Sequence, residues 1–425
     1  MGDEENAAPG QGNWRARTAI LTLGAFAVGT DGYVLVGLLP EINRTLHVGI
    51  AASGQLVSIF ALVYALLSPL LATVTGRWPR RRVLVAGLML LGAGNAVTAL
   101  ADNYGLVLAS RILAGAGAAM FTASAVATAA HLAADRRRGT AIAMVTAGST
   151  LSLVLGAPLG TVIGKTWGWQ AAIWFITAIA LTVAVAIAIL LPAIRIDQDV
   201  ALRQRLAPLT DMRVLRVLVV TLLAFIAVFL PFTYMSAVFA PATGGDQSRI
   251  ALLLMVFGIF ATGGNLLAGR LADRYDARLV VIGATLSMAV VFLVMAGVRE
   301  SFAAVAVMHA LSGFVCFSVI GPQQHRIIAF APPGGAPLVT SLNLSTAYLG
   351  NFASSVLGAV ILSTAGSPTW ILPTAAVFAI TASVLAWSTR PRGEVMWRHA
   401  GQNRIDDRSR SDAGASAGRG GSALL

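Results

Sequence analysis

The chain has little charge, a single lysine and a single cysteine. Only 11% of its 425 residues are charged, whereas 57% are hydrophobic. A soluble domain usually carries about 25% charged residues, so this chain lacks the polar surface that a water-soluble globule needs. The composition excludes a cytosolic enzyme, a disordered chain and a nucleic-acid-binding protein, the last in spite of a net charge of +12. The lone Cys316 excludes an intrachain disulfide and a thiolate metal site.

Apolar segments of about 20 residues recur along the chain, and a helix needs about that length to cross a bilayer. The first segment follows a polar stretch with no basic n-region and is too long for a signal peptide, so it is interpreted as an uncleaved transmembrane helix. The sequence thus predicts an all-α integral membrane protein with twelve transmembrane helices in two pseudo-symmetric six-helix bundles. The predicted spans are 18–40, 52–75, 83–101, 106–131, 141–164, 170–194, 215–239, 250–272, 279–298, 303–324, 337–362 and 371–389.

One long hydrophilic break, 195–214, divides the spans six and six. We expect an N-terminal bundle at 18–194 and a C-terminal bundle at 215–389, joined by this central loop. Polar tails are expected at 1–17 and 390–425, and the second, rich in Gly, Ala and Ser, is predicted to be disordered.

Most of the basic residues lie beyond one end of the predicted spans. With the N-terminus placed inside, the inside segments hold 25 of the 30 basic residues and the outside segments hold 4. Cytoplasmic loops of membrane proteins carry such an excess of Lys and Arg. The sequence therefore predicts a multi-pass protein of the cell membrane with both termini and the central loop in the cytoplasm.

Similar arginine-rich turns end the second and the eighth predicted spans, at 72–82 and 269–278. Six-helix halves related by such a repeat are an architecture of secondary transporters. The turn at 269–278 resembles the loop motif G-x-L-A-D-R-x-G-R-[RK] of the major facilitator superfamily, with Asp276 and Ala277 in place of the later Gly and Arg. The first copy departs more, since Gly76 stands where the family has Asp.

Three further stretches resemble motifs of this superfamily at the expected helices. Residues 111–119 resemble the R-x-x-x-G-x-G motif of the fourth helix, and 156–164 resemble the fifth-helix motif of the antiporters. Residues 29–42 resemble the first helix of twelve-helix drug:proton antiporters of the arabinose-efflux and chloramphenicol-resistance type. The resemblance spans 18–390 and implies the superfamily fold and antiport.

Asp31 is the only acidic residue deep in a predicted span, and Arg111 is the only deep basic residue. Intramembrane charges are costly and mark ion or substrate paths. The two depths differ by about 6 Å at 1.5 Å per residue, a distance that an arginine side chain covers. We expect both residues to couple protons to transport. The alternatives are a structural hydrogen bond for Asp31 and, for Arg111, snorkelling outward to the lipid headgroups.

Glycines in the fourth and fifth helices are expected to pack helices closely, because small residues let backbones approach. Matching small-residue ribbons along the fifth and eleventh helices favour surfaces that slide as one bundle rocks against the other, with static packing as the alternative. Proline adds a kink to the fifth helix. The residues of this predicted packing motif are Gly115, Gly117, Gly156, Pro158, Gly160 and Gly164.

The arginine-rich turns are predicted to gate the cytoplasmic side, with pairing between Asp273 and the arginines that follow it. Gly76 removes the corresponding acid from the first turn, so a latch there is expected on one side only. The alternative is that these arginines only fix the orientation of the helices in the membrane. The predicted gating residues are Arg77, Arg81, Gly269, Asp273, Arg274 and Arg278.

Polar and aromatic residues within spans are candidates to line a substrate cavity, although each alone is more often a hydrogen-bonded packing residue. His309 and Cys316, in the tenth span, are interpreted as core residues. The cavity candidates are Tyr33, Tyr64, Tyr234, Asn265, Asn343, Tyr348 and Asn351.

The sequence as a whole predicts a proton-coupled secondary transporter that exports small, largely apolar compounds. Drug efflux is what the resemblance implies. The alternatives are export of sugars or endogenous metabolites by the same fold and a non-transporting membrane receptor. No phosphate-binding loop occurs, and the only lysine, Lys165, lies in an outer turn, so neither ATP nor another cofactor is expected.

Overall fold

The computed structural model describes residues 14–134, 137–194, 202–331 and 335–389. These residues form helices and connecting turns, with no strand among them. Twelve helices are long and apolar enough to cross a membrane, with mean hydropathy between 1.3 and 2.7. They are α1 (Trp14–Leu46), α2 (Ile50–Val74), α3 (Arg80–Leu100), α4 (Tyr104–Leu132), α5 (Arg138–Trp167), α6 (Trp169–Leu190), α7 (Met212–Thr233), α8 (Gln247–Arg274), α9 (Ala277–Val298), α10 (Phe302–Ile328), α11 (Leu338–Thr364) and α12 (Pro368–Ser388).

The twelve predicted spans correspond one for one to these helices, so the predicted fold class is confirmed. A helix satisfies its own backbone hydrogen bonds, which is why apolar runs of this length fold as helices in lipid. Several helices extend beyond the apolar runs, because polar and charged end turns continue the same backbone bonding. The seventh is shorter than predicted and ends at Thr233, where Pro231 and Tyr234 precede two short helices, Met235–Val238 and Ala240–Thr243.

The predicted tails and central loop are described only in part. Residues 14–17 of the predicted N-terminal tail already belong to α1, and the predicted tail at 390–425 lies outside the described residues. In the central loop, 195–201 also lie outside them, and the rest contains a short helix at Leu202–Leu206 and a 3-10 turn at Ala207–Thr210.

The helices pack as an N-terminal half, α1–α6, and a C-terminal half, α7–α12. In the first half α1 contacts α2, α4, α5 and α6, and α3 packs between α4 and α6. The halves meet chiefly where α2 packs on α11 and where α5 packs on α8. Large apolar side chains on the outward faces are exposed, for example Ile189 and Val384, as a lipid-facing surface requires. This arrangement leaves α1 and α7 beside the seam between the halves.

A π-helical turn at Ser152–Gly156 interrupts α5 near the middle of the N-terminal half. Such turns are rare and occur often at functional sites. Pro158 follows directly, at the start of the next helical segment, where its missing N–H disturbs the backbone bonding least. The turn brings the α5 backbone against the opposite half, since a Cβ at Gly258 of α8 would lie 2.7 Å from Leu153 O.

The bundle has an arginine-rich end and an arginine-poor end. The arginine-rich end carries the turns between α2 and α3 and between α8 and α9. The arginine-poor end carries the turns between α1 and α2 and between α5 and α6.

Candidate functional site

A fully buried ion pair lies inside the N-terminal half. Both side chains of the pair, Asp31 on α1 and Arg111 on α4, are 0% exposed. The Arg111 guanidinium donates two hydrogen bonds, one to Oδ1 and one to Oδ2 of Asp31, each 3.0 Å long. It donates a third, also 3.0 Å long, to Oδ1 of Asn95 on α3. The fork of the guanidinium matches the carboxylate in the bidentate geometry that makes such pairs strong.

Four helices position this pair. The guanidinium carbon of Arg111 lies 4.8 Å from the ring centroid of Phe60 on α2, within the range of a cation–π contact. Arg111 Nε and Asn95 Nδ2 have no hydrogen-bond partner among the described residues. The guanidinium therefore points into the bundle, which excludes the alternative of an arginine snorkelling to the headgroups.

The Asp31 carboxylate and the Arg111 guanidinium are charges removed from water, so each depends on the other as its counter-ion. Protonation of Asp31 would leave Arg111 charged with only the Asn95 oxygen and the Phe60 ring as partners. A change at either side chain would therefore alter the hydrogen bonds that join α1, α3 and α4. A role of Asp31 and Arg111 in coupling protons to transport stays a prediction.

The ribbon of small residues on α5 packs against α1, within the N-terminal half. A Cβ at Gly156 would collide with the Thr30 side chain, and one at Gly160 would collide with Val34. A Cβ at Gly164 would likewise collide with Leu38. The expectation of a ribbon that slides between the bundles is wrong for this face, because its contacts are internal to one half.

The equivalent ribbon on α11 also packs internally, against α7. Gly350 approaches Phe225 and Leu222, and Gly358 approaches Tyr234. Close packing also holds α4, where a Cβ at Gly115 would lie 2.9 Å from Phe60 O on α2 and Gly117 faces the α3 backbone. These glycines therefore make each half compact, whereas Gly258 packs on α5 and Gly54 packs on Tyr234 across the seam.

Aromatic rings fill the seam between the halves near Asp31. Tyr33 of α1 stacks with Phe229 of α7 at a centroid distance of 6.5 Å, and its edge meets Phe232 at 6.0 Å. Tyr64 of α2 stacks on Tyr348 of α11 with centroids 3.7 Å apart. Tyr33 and Tyr348 are partly buried, whereas Tyr64 is 1% exposed. The structure thus brings three of the predicted cavity residues, Tyr33, Tyr64 and Tyr348, to one interface.

The other four cavity candidates do not belong to these ring contacts, although Tyr234 packs against Gly54 of α2 across the seam. Tyr234 is fully buried, and its hydroxyl donates a 2.6 Å hydrogen bond to Ser355 O. Asn343 belongs to a polar network of the C-terminal half, in which its Oδ1 accepts a 2.7 Å bond from Thr221. Asn351 is 7% exposed, and its Oδ1 has no partner among the described residues. Asn265 is partly exposed on α8. Tyr234 and Asn343 are therefore packing residues in this structure.

Polar contacts tie the halves together at the arginine-poor end. The Lys165 ammonium donates to Oδ1 of Asp246 at 2.8 Å and to Oγ of Ser248 at 2.7 Å, joining α5 to the start of α8. The Ser355 hydroxyl of α11 donates to Gly54 O of α2 at 2.7 Å. The Lys165 hydrogen bond, aided by the Ser248 N–H, lowers the pKa of the exposed Asp246. This end is therefore held closed by bonds that span the seam.

The predicted latch at the arginine-rich end has different partners from those expected. Asp273 Oδ1 lies 3.2 Å from Nε2 of His325 on α10. Arg278 Nε lies 3.8 Å from the carboxylate of Asp276, and the guanidinium lies over the Trp387 ring. The expected pairing of Asp273 with Arg278 is wrong, because Asp276 starts α9 and is the acid nearest to that arginine. The remaining gating candidates, Arg77, Arg81, Arg274 and Gly269, lie in or beside the same turns.

Sequence reasoning missed two members of the buried site. Asn95 was not singled out, although an amide in the middle of an apolar helix is a signal that could have found it. Phe60 carries no such signal, since a phenylalanine in a membrane helix is ordinary, and only the packing of α2 on α4 reveals its contact with Arg111.

The comparisons with known proteins agree with this geometry. The family model described as Major Facilitator Superfamily matches residues 21–353 and 217–406. A Bacillus subtilis protein named MFS-type transporter YbcL is 30% identical over 88% of this chain and 96% of its own length. A chloramphenicol resistance protein of Streptomyces lividans is 31% identical over 63% of this chain and 69% of its own. A chloramphenicol efflux pump of Mycobacterium tuberculosis is 28% identical over 82% and 87%.

Proposed function

Because the chain belongs to the Major Facilitator Superfamily, we propose that this membrane transporter is a proton-coupled exporter of small, largely apolar compounds. Twelve spans and membership of this transporter family imply the plasma membrane and a small-molecule substrate. Proton coupling, the direction of transport and cytoplasmic termini are the parts that we propose. The cytoplasmic side is then the arginine-rich end, as the positive-inside rule requires.

The buried pair of Asp31 and Arg111 is the observation that carries the proposal. An isolated intramembrane charge costs at least about 2.5–3.5 kcal/mol, so a chain retains one where a path for ions or substrates needs it. Asp31 takes a proton when the external side opens, and the bidentate bond to Arg111 weakens. When the cytoplasmic side opens, Arg111 draws the carboxylate back into the pair, and the proton leaves as cargo binds. Cargo and proton thus move in opposite directions.

The aromatic seam supports a largely apolar cargo. Tyr33 meets Phe229 and Phe232 across the interface, and Tyr64 meets Tyr348 across it. Aromatic faces bind planar or apolar groups, and the tyrosine hydroxyls offer a few hydrogen bonds that orient them. The names of two relatives refer to chloramphenicol, an aromatic compound, and chloramphenicol is therefore the first probe to test.

Transport into inside-out membrane vesicles tests the proposal. We expect wild-type vesicles to accumulate labelled chloramphenicol when their lumen is acidified, and we expect an uncoupler to abolish the accumulation. Asp31→Asn keeps the shape of the side chain but does not titrate, so it should bind the compound and fail to concentrate it. Asp102→Asn is the matched control, since Asp102 is exposed in the turn between α3 and α4.

The outcomes separate the alternatives. Uphill accumulation by Asp31→Asn at the wild-type rate would show that Asp31 is structural and that coupling lies elsewhere. If the wild type exports no drug in a susceptibility panel but transports a sugar or metabolite, the protein is a transporter and the proposed cargo class is wrong. The absence of any proton-linked transport would refute the mechanism.

A further inference from the structure

His309 occupies the position in the C-terminal half that Arg111 occupies in the N-terminal half. The helix α4 begins at Tyr104, seven residues before Arg111, and its repeat partner α10 begins at Phe302, seven residues before His309. The interior of the first half holds a charged pair at this level. The second half holds an imidazole that the ion-pair cycle does not use.

The surroundings of the two residues correspond as well. Phe60 lies ten residues into α2 and packs on Arg111, and Phe257 lies ten residues into α8 with its ring 5.1 Å from the imidazole. Asn95 lies fifteen residues into α3, and the residue fifteen into α9 is Phe292, which lines the cavity beside His309. The two sites are therefore copies of one arrangement that differ in polarity.

The carboxylate has no counterpart in the second half. Asp31 follows the pair Ala25-Phe26 by five residues, and the residue in the same place after Ala224-Phe225 is Leu230. Pro231 and Phe232 line the cavity there. His309 thus faces hydrocarbon where Arg111 faces an acid.

One ring nitrogen of His309 is buried without a hydrogen-bond partner among the described residues, and the side chain lines a small cavity. Nδ1 lies 3.5 Å from the Ser312 hydroxyl, whereas Nε2 has no hydrogen-bond partner among the described residues. The side chain is 3% exposed and lines a cavity of about 10 Å³. Such a volume is near the least that holds one water molecule and is far too small for cargo. The ligand that fits this site is therefore water or a proton, not a substrate.

Among the residues that the structure describes, no charged side chain lines this cavity. The lining residues come from α7, α8, α9, α10 and the segment after α7, and Cys316 is the only other titratable group among them. A proton placed on His309 would therefore have no counter-charge in the closed half. It needs water, which enters when the helices around the cavity separate.

We propose that His309 is a second proton-binding group, which takes a proton at Nε2 when the C-terminal half hydrates and loses it when the cavity closes. This inference rests on the proposed proton coupling and extends it, since each half then carries one titrating residue. No covalent bond changes. The proton comes from water on the external side and leaves to water on the cytoplasmic side.

Titration of the histidines by NMR tests the inference without transport. The full chain in lipid nanodiscs, labelled at its five histidines, should show one imidazole signal that is missing in His309→Gln and that titrates between about pH 5 and 8. If His309→Gln does not fold, a chain in which the other four histidines are Gln assigns the signal instead. This chain keeps the His309 pocket intact and should give the same signal. The decisive measurement is made on chains whose arginine-poor end is opened by Lys165→Gln, and a His309 signal that stays neutral over this range there would overturn the inference.

The ratio of protons to chloramphenicol in proteoliposomes gives the functional test. We expect His309→Gln to lower the ratio by one proton per molecule exported, whereas His131→Gln, at an exposed position of α4, should leave it unchanged. An unchanged ratio in His309→Gln overturns the inference while proton-coupled export stands. If the wild type exports nothing, the proposed function fails, and the histidine titration still decides whether His309 binds a proton.

Discussion

A double-mutant cycle on Asp31 and Arg111 measures what the buried pair contributes. The single variants are Asp31→Asn, which removes the negative charge with little change in shape, and Arg111→Met, which keeps a long side chain without the guanidinium. The double variant removes both charges. All three leave the helix backbones intact, so the differences report the pair itself.

The structure sets the expected magnitude. Two hydrogen bonds of 3.0 Å join groups that are both 0% exposed, so removal of one partner leaves the other charge buried without its counter-ion. That loss costs about 3–5 kcal/mol in buried pairs, whereas replacing both partners by groups of similar volume is often neutral. Asn95 and Phe60 remain beside Arg111 in Asp31→Asn, so we expect that variant to lie at the lower limit of the range.

Unfolding by SDS in mixed micelles, followed by tryptophan fluorescence, gives the free energies. We expect each single variant to lower the free energy of unfolding by about 3 kcal/mol and the double variant to lose about 1 kcal/mol. The coupling energy is then larger than the loss in the double variant. Additive losses, with the double variant as unstable as the two singles together, would refute the argument that the side chains stabilise each other.

Four other predictions rest on the packing and the charges. Gly160→Leu forces α5 away from α1, so it should cost about 1–3 kcal/mol and block export of an inserted protein, measured by vesicle transport; wild-type export would show a loose contact. Lys165→Gln should favour opening of the arginine-poor end, seen as faster labelling of introduced cysteines. Because the pKa of Asp246 is lowered, its bond to Lys165 should persist at neutral pH and be lost only as acid titrates Asp246 below its ordinary pKa of about 4; an unchanged distance between fluorophores attached across this end at pH 7 and at about pH 2 would contradict this. Reporters fused after Arg205 and after Trp167 should be cytoplasmic and external, and an external signal from Arg205 would refute the topology.

Much of the fold was predictable because, in a bilayer, the length of an apolar segment is nearly sufficient to predict a transmembrane helix. A run of about 20 apolar residues in lipid has a helix as its low-energy form, so the number of spans and their order follow from the residues alone. The single deep acid and the single deep base were visible for the same reason, since a charge in such a run is conspicuous. The positions of Asp31 and Arg111 along their helices also place them at depths close enough for the arginine side chain to reach the carboxylate.

Only tertiary structure decided which faces meet. The glycine ribbon on α5 has the same spacing whether it packs on α1 or on the opposite half, because a period of four residues identifies a face and not its neighbour. The partners of Asp273 and Tyr234 could not be predicted either, since each depends on how helices distant in sequence are rotated. Asn95 was detectable as an amide within an apolar helix, but Phe60 and His309 are ordinary residue types, and their surroundings arise from the packing of four helices in each half.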